Sequence, residues 1–374
     1  MSKCIIIVTN SATNLISFRG QLIKELVDKN FQVLVIIPKI NFSNDFENEV
    51  LKLGAKILTI PLDRTGLNPF YDFLTYLALK SCFKKYKPDI VLSFTSKPSI
   101  YSGLAIGKNS KIKFFPILTG LGYGFTQKFG LKRKLINFIL KKLYKLSFRF
   151  SAAVIFQNPD DELLFDNLNI TTGKKTFILN GSGVDLKFYY PTSLPLKPIF
   201  LMLSRLVVDK GVIEYCEAAK EIRAKFPEVI FQLAGSFDPN PSGLKYDQLK
   251  AFIDAKDIEY LGYINDVRKV LSGCRYYVLP SYREGTPRSV LEAMSMGRPV
   301  ITTNVAGCKE TVLHEINGLL IPAMDKVSLV SAIQKMLKMD DRKIIEMGQE
   351  SIKLVREKYD VRKVNQHIIN IINN

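Results

Sequence analysis

Two carboxylates, Glu284 and Glu292, flank a loop-to-helix junction in the run Ser281-Tyr282-Arg283-Glu284-Gly285-Thr286-Pro287-Arg288-Ser289-Val290-Leu291-Glu292-Ala293-Met294. The residue types predict the junction. Thr286 is expected to cap the helix, since a short hydroxyl side chain can accept from an orphan amide. Pro287 suits the first helical position, where a missing N–H is harmless. Gly297 suits the left-handed residue that closes the helix. The amides of Arg288 and Ser289 then point out of a helix N-terminus, whose partial positive charge favours phosphate. Glu284 falls just before the helix, past a strand over 276–280, and Glu292 falls within it. An anion-binding helix end with a carboxylate on each side suits a ligand that joins a diphosphate to sugars. Two glutamates at this spacing also occur on ordinary solvated helix faces. The Gly-Thr-Pro between them favours the site, because it fixes geometry as well as composition.

Three shorter segments converge on the same chemistry. Leu203-Ser204-Arg205-Leu206-Val207-Val208-Asp209-Lys210-Gly211 follows a strand and opens a helix. Arg205 as a fork and Lys210 as a point charge can both reach a diphosphate, while in isolation they read as surface cations. Asn180-Gly181-Ser182-Gly183-Val184-Asp185 is a glycine-rich loop or a plain turn. Tyr260-Leu261-Gly262-Tyr263 ends a predicted strand, where the backbone at Gly262 and Tyr263 either meets a nucleobase or simply ends the strand.

The elements that must position these residues alternate strand and helix. Apolar strands are expected over 4–9, 31–37, 55–61, 89–94, 113–118 and 153–156, and again over 199–204, 229–234, 258–261, 276–280 and 299–303. Helices are expected over 17–30, 211–225 and 287–296. Continuous apolar strands separated by helices mean parallel sheets covered on both faces. At 374 residues the chain suits two such α/β domains. Pro191, Pro195 and Pro198 mark the linker. Residues 1–188 form the first domain and 189–357 the second, with 358–374 expected to pack back on the first. Ligands of open α/β sheets bind at the strands' carboxyl ends, so a shared ligand would lie in the interdomain cleft.

Composition narrows the class. The five cysteines are scattered without CxxC or zinc spacing, and with only two histidines a catalytic or metal-binding His is disfavoured. Scattered thiols fit a reducing, cytoplasmic setting. No signal peptide and no membrane-spanning run is visible. The net charge is +18, and residues 1–180 carry +14 of it. Such asymmetry points the first half toward a polyanion. Between Lys128 and Phe150 eight basic residues, among them Lys132, Arg133, Lys134, Lys141, Lys142 and Lys145, alternate with apolar ones and no acid intervenes. That pattern fits a helix on an anionic membrane or a core-packed helix with a basic face. Nucleic acid is disfavoured because no nucleic-acid motif accompanies the charge.

Together, Arg205…Lys210-Gly211, Gly181-Ser182-Gly183-Val184-Asp185 and Glu284 with Glu292 resemble the family-4 retaining glycosyltransferases of the GT-B fold, which has two doubly wound, Rossmann-like domains. In the first half, Leu62-Asp63-Arg64-Thr65-Gly66-Leu67-Asn68-Pro69, Phe94-Thr95-Ser96-Lys97-Pro98, Thr119-Gly120-Leu121-Gly122-Tyr123 and Gln157-Asn158-Pro159-Asp160-Asp161 resemble bacterial enzymes acting on undecaprenyl-diphosphate-linked sugars. The resemblance implies transfer of a sugar, GalNAc in α-1,3 linkage, from a UDP-sugar to a polyprenyl-diphosphate-linked acceptor at the inner face of the cell membrane. It also implies UDP-galactose or another hexose donor for capsule or O-antigen as the runner-up. A nucleotide-sugar 2-epimerase or a non-enzymatic basic membrane-binding protein ranks lower. Implied roles are Arg205 and Lys210 on the leaving diphosphate, Glu284 on the transferred sugar and Glu292 on the ribose. The segment Gly285, Thr286, Pro287, Arg288 and Ser289 would support phosphate and sugar, with the N–H groups of every residue but the proline as donors. No metal or other cofactor is expected, since the two cations supply the charge. Many relatives carry a His after the fifth strand where this chain reads Thr119-Gly120, so no general base is expected there. Asn14, Ser17 and Arg19 after the first strand, Lys97 after the fourth, and Thr119 and Gly120 after the fifth are the acceptor candidates. Arg19 and Lys97 read equally as solvated cations.

Overall fold

The computed structural model describes residues 2–12, 15–39, 44–63, 68–108, 111–120, 131–239 and 242–373, with backbone alone at 44 and 131–133. The chain forms two compact units, Met1–Ser182 with Arg362–Asn374, and Gly183–Val361.

The first unit runs β1 (Cys4–Val8), α1 (Leu15–Asp28), β2 (Gln32–Pro38), α2 (Asn44–Lys52), β3 (Lys56–Ile60), α3 (Pro69–Tyr86), β4 (Ile90–Phe94), α4 (Ser96–Ile106), β5 (Lys113–Leu118), α5 (Leu131–Phe148), β6 (Val154–Phe156), α6 (Pro159–Asn167) and β7 (Thr176–Ile178). Its seven strands are parallel in the order 3-2-1-4-5-6-7. Successive residues of β1 feed opposite faces, as strand geometry requires. Ile5 and Ile7 pack with α1, whereas Cys4, Ile6 and Val8 pack toward α3. Burial on both faces explains why these strands read as unbroken apolar runs.

The second unit runs β8 (Ile199–Leu203), α7 (Val212–Arg223), β9 (Ile230–Ala234), α8 (Tyr246–Asp254), β10 (Glu259–Gly262), α9 (Arg268–Gly273), β11 (Tyr276–Leu279), α10 (Arg288–Ser295), β12 (Val300–Thr303), β13 (Gly318–Ile321), α11 (Lys326–Lys338) and α12 (Asp341–Leu354). Its six parallel strands take the order 10-9-8-11-12-13. The last helix, α13 (Val361–Asn373), buries Val364, Ile368, Ile369 and Ile372 in the core of the first unit, beside Leu22 and Leu26 of α1. The two stretches that lead in and out of the second unit are joined to each other. Val184 donates to Tyr359 O at 2.9 Å, and Val361 donates to Val184 O at 3.1 Å.

Both sheets reverse their winding once, between β1 and β4 and between β8 and β11. At such a switch point the connections leave in opposite directions and open a crevice at the carboxyl ends of the strands. The sequence motifs fall there.

Candidate functional site

In the second unit, the segment after β8 meets the segment after β11. The amide of Tyr282 donates to Asp209 O at 2.8 Å, and the Ser281 hydroxyl donates to the same oxygen at 3.1 Å. These bonds bring Lys210 to Glu284, and the ammonium donates to the carboxylate. Gly211 makes the approach possible. Its φ is +74°, and a Cβ there would lie 2.1 Å from Pro280 O. A loop after β12 fixes Glu284 from the other side. The Glu284 amide donates to Ala306 O at 3.0 Å, and a Cβ on Gly307 would lie 2.3 Å from Glu284 O. Cys308 is buried beneath this contact. Burial, followed by the nearby Glu284, pushes its thiol up to about 12, so it serves as a small apolar group rather than a nucleophile.

Arg205, the other predicted cation, is half exposed and donates to Asp238 Oδ2 at 2.7 Å. Asp238 follows β9, the neighbour of β8. Glu292 lies on the first turns of α10. Pro287 takes the cap position rather than the first helical one, and it makes no side-chain cap bond, so Thr286 lies one residue too early to cap. Gly297 ends the helix with φ +86°, as expected. Arg288 Nε donates to Glu292 Oε1 at 2.9 Å, and the Tyr189 hydroxyl hydrogen-bonds the same carboxylate. Burial holds the Glu292 carboxyl above the ordinary range, against the opposing pull of Arg288 and then Tyr189. The Ser289 hydroxyl bonds Tyr277 in the strand below.

Gly262 and Tyr263 close β10. Gly262 sits at φ +68° with open space where a Cβ would be, and the Tyr263 ring is exposed. The same loop is braced to Glu292. Asp266 forks onto Arg268 at 2.8 and 2.6 Å, which lowers its carboxyl to about 2. Arg268 stacks at 3.8 Å over Phe188, which packs edge-on at 5.0 Å against Tyr189. The segment predicted to meet a base and the carboxylate predicted to hold a ribose are therefore linked by one chain of packed side chains.

At the first unit's switch point the predicted acceptor residues take varied positions. Asn14 lies outside the described residues. Ser17 is exposed on α1. Arg19 is not a solvated cation: it is buried, stacks at 3.8 Å over Phe94, and donates to Ser182 Oγ at 2.9 Å. It thereby anchors the glycine-rich loop. Lys97 is likewise paired, at 2.6 Å, with Asp72 in the first turn of α3. Thr119 and Gly120 follow β5 and are partly exposed. Thr95, between β4 and α4, takes φ +75°, a strained conformation for a β-branched residue. On α5, Lys134, Lys142 and Lys145 are exposed and Lys141 is half-buried, while Tyr144 and Phe148 are in the core. The side chains of Lys132 and Arg133 lie outside the described residues. His314 accepts the Leu320 amide at 3.0 Å and belongs to none of these groups. Among the described residues no three of His, Cys, Asp and Glu gather as metal ligands, and no helix is long and apolar enough to cross a membrane.

Sequence reasoning missed Asp238, Tyr189, Asp72 and the Ala306-Gly307 loop. Only Gly307 left a signal, as a glycine shortly after a predicted strand.

Comparison with known proteins agrees with this fold. Residues 6–158 match the family model described as glycosyl transferase 4-like, and residues 197–339 match glycosyl transferases group 1. The chain is 29% identical over 352 residues to the N,N'-diacetylbacillosaminyl-diphospho-undecaprenol alpha-1,3-N-acetylgalactosaminyltransferase of Campylobacter jejuni, covering 90% of this chain and 89% of that one. It is 29% identical over 295 residues to the UDP-Gal:alpha-D-GlcNAc-diphosphoundecaprenol alpha-1,3-galactosyltransferase of Escherichia coli, covering 75% and 74%. Among solved structures, sucrose-phosphate synthase from Thermosynechococcus elongatus superposes with a TM-score of 0.81 at 20% identity over 99% of this chain and 98% of that one. Anabaena HepE in complex with UDP gives 0.76 at 17% over the whole of both chains. With two parallel-sheet units of this topology and each half matched by a glycosyltransferase model, the chain is a glycosyltransferase of the GT-B fold.

Proposed function

We propose that this glycosyltransferase moves a sugar from a UDP-sugar to an undecaprenyl-diphosphate-linked sugar at the inner face of the cell membrane. The carrying observation is the Lys210–Glu284 pair at the β8/β11 switch point, beside the α10 N-terminus and Glu292. Lys210 and Arg205 neutralise the diphosphate as it leaves, and the amides from Gly285 to Ser289 add fixed dipoles. Glu284 then binds hydroxyls of the transferred sugar and Glu292 the ribose, with Gly262 and Tyr263 at the base. Such preorganised charge is the largest contribution in many enzymes, and holding both substrates aligned adds to it. The bond from the sugar's anomeric carbon to the phosphate breaks while the acceptor hydroxyl bonds on the same face. The departing phosphate oxygen takes that hydroxyl's proton, so neither a protein base nor a metal is needed. GalNAc in α-1,3 linkage is the preferred assignment, supported by the name of the Campylobacter relative. The E. coli relative's name supports UDP-galactose as the second reading.

The test is incubation with a panel of UDP-sugars and short polyprenyl-diphosphate glycans, with products identified by mass spectrometry and NMR. Retention of the donor anomer and full activity in EDTA are expected, and an inverted anomer sinks the front-face mechanism. Glu284→Ala is expected to lose transfer by about 100-fold or more while still binding vesicles. Unimpaired transfer by that variant would move the active site elsewhere.

A further inference from the structure

We infer that α3 carries a second lipid-facing stripe which, with α5, seats the first unit on an anionic bilayer; the inference rests on the membrane-linked acceptor proposed above. Phe70, Phe73 and Leu77 are 68%, 54% and 43% exposed. Their spacing puts them on one face of α3, while Thr75, Leu79 and Phe83 point into the core. Nothing among the described residues covers that aromatic face. On α5, Leu135 and Phe138 are 60% and 55% exposed, with Ile139 and Leu146 beside them and Lys134, Lys142 and Lys145 between.

The two faces belong to one layer. Asp72 and Lys97 tie the first turns of α3 and α4, and Ser147 of α5 donates to Ser99 O of α4 at 2.8 Å. A Cβ on Gly103 of α4 would lie 2.1 Å from Ser147 Oγ, so α4 and α5 are in close contact. In a parallel sheet each crossover helix sets out from the carboxyl edge, so Phe70 and Phe73 in the first turns of α3 and Phe138 in the early turns of α5 lie toward the edge that also holds Lys97, Thr119 and Gly120.

Charge selects the occupant. The three helices contain ten Lys or Arg and a single acid, Asp72, which Lys97 neutralises. A layer of apolar side chains among cations suits the boundary between acyl chains and acidic headgroups, where each basic residue strengthens binding. Lys142 lies over the Phe138 ring at 4.4 Å and Lys80 over Tyr76 at 5.6 Å. Ammonium and aromatic groups thus share one level.

The natural chain has no tryptophan, so Phe73→Trp gives a unique fluorophore. Its emission is expected to shift to the blue with phosphatidylglycerol-containing vesicles, and to be quenched when they carry brominated acyl chains. Neither effect is expected with phosphatidylcholine vesicles at raised salt. Phe70→Ser, Phe73→Ser and Leu77→Ser combined should lower partitioning onto the anionic vesicles by ~10-fold or more, with melting temperature and transfer to a short-chain acceptor in solution unchanged. Flotation of the triple variant equal to the parent, or an unshifted emission band from the Phe73→Trp variant, overturns the inference. So does loss of self-association in the triple variant with vesicle binding intact, which would assign the stripe to a second copy. Absence of transfer with every acceptor, alongside the expected flotation pattern, strikes the functional reading and leaves the surface standing.

Discussion

Lys210, Arg205 and Arg288 are paired with Glu284, Asp238 and Glu292. On the proposed reading, a diphosphate reaching this edge meets cations already oriented by their carboxylate partners. Lys210→Ala removes the ammonium that pairs with Glu284 and, on the proposed reading, the charge that meets the leaving phosphate. It is expected to lower kcat by about 100-fold in steady-state assays, with a smaller change in KM. In the proposed site Tyr189 acts through Glu292 as a positioning residue. Tyr189→Phe removes a hydrogen bond to a charged group, worth ~1.5 kcal/mol, so the donor KM should rise by about 10-fold with kcat little changed. The pH dependence carries the sign. In the proposed site donor binding needs the carboxylate, and burial already raises the Glu292 pKa. Losing the Tyr189 bond, which favours the charged form, raises it further, so affinity should begin to fall at a higher pH than in the parent. An unmoved acid limb in the pH profile of kcat/KM would show that Tyr189 is only a packing residue. Glu284 and Glu292 were legible in the sequence because they share one local motif. Asp238 and Tyr189 were not, because each reaches the site from a segment whose own residues look ordinary.

Glu284 keeps its place through contacts between loops of different strands. Gly307 is the tightest. A methyl group there would collide with Glu284 O, and the residue's φ of +82° disfavours any side chain. Gly307→Ala should cost ~2 kcal/mol or more, read as a lower melting temperature. It should also reduce kcat by about 100-fold, since an ångström of misplacement suffices. A variant with normal kcat would mean that the loop yields without moving the carboxylate. Most strands were legible because burial on both faces leaves an unbroken apolar run. β7 and β13 escaped notice for opposite reasons. Thr176–Ile178 is a half-buried three-residue edge strand, and Gly318–Ile321 opens on a glycine that reads as a turn. That glycine is required where β13 abuts β12: a Cβ on it would lie 2.0 Å from Val300 O. The α10 start was read one residue early, because proline suits the cap and the first turn about equally.

The positive charge of the first half was plain from composition, but its division between core and surface was not. Tyr144 and Phe148 turn inward on the same helix whose Lys142 and Lys145 turn outward, and periodicity alone cannot say where a helix with apolar residues all round is buried. The last thirteen residues complete the first core. Ile368→Ala is expected to destabilise by ~2–5 kcal/mol in thermal melts, although it lies nearly 350 residues from the Leu22 it packs near. A melt unchanged from the parent would mean α13 docks without contributing to that core.

The hydrogen bonds between Val184 and Tyr359–Val361 put the start and finish of the second unit side by side. Residues 183–361 are accordingly an excisable cassette: removing them would leave two ends that a few glycines can bridge. The cassette expressed by itself should fold and retain calorimetric affinity for UDP, so nucleotide recognition becomes measurable without any lipid.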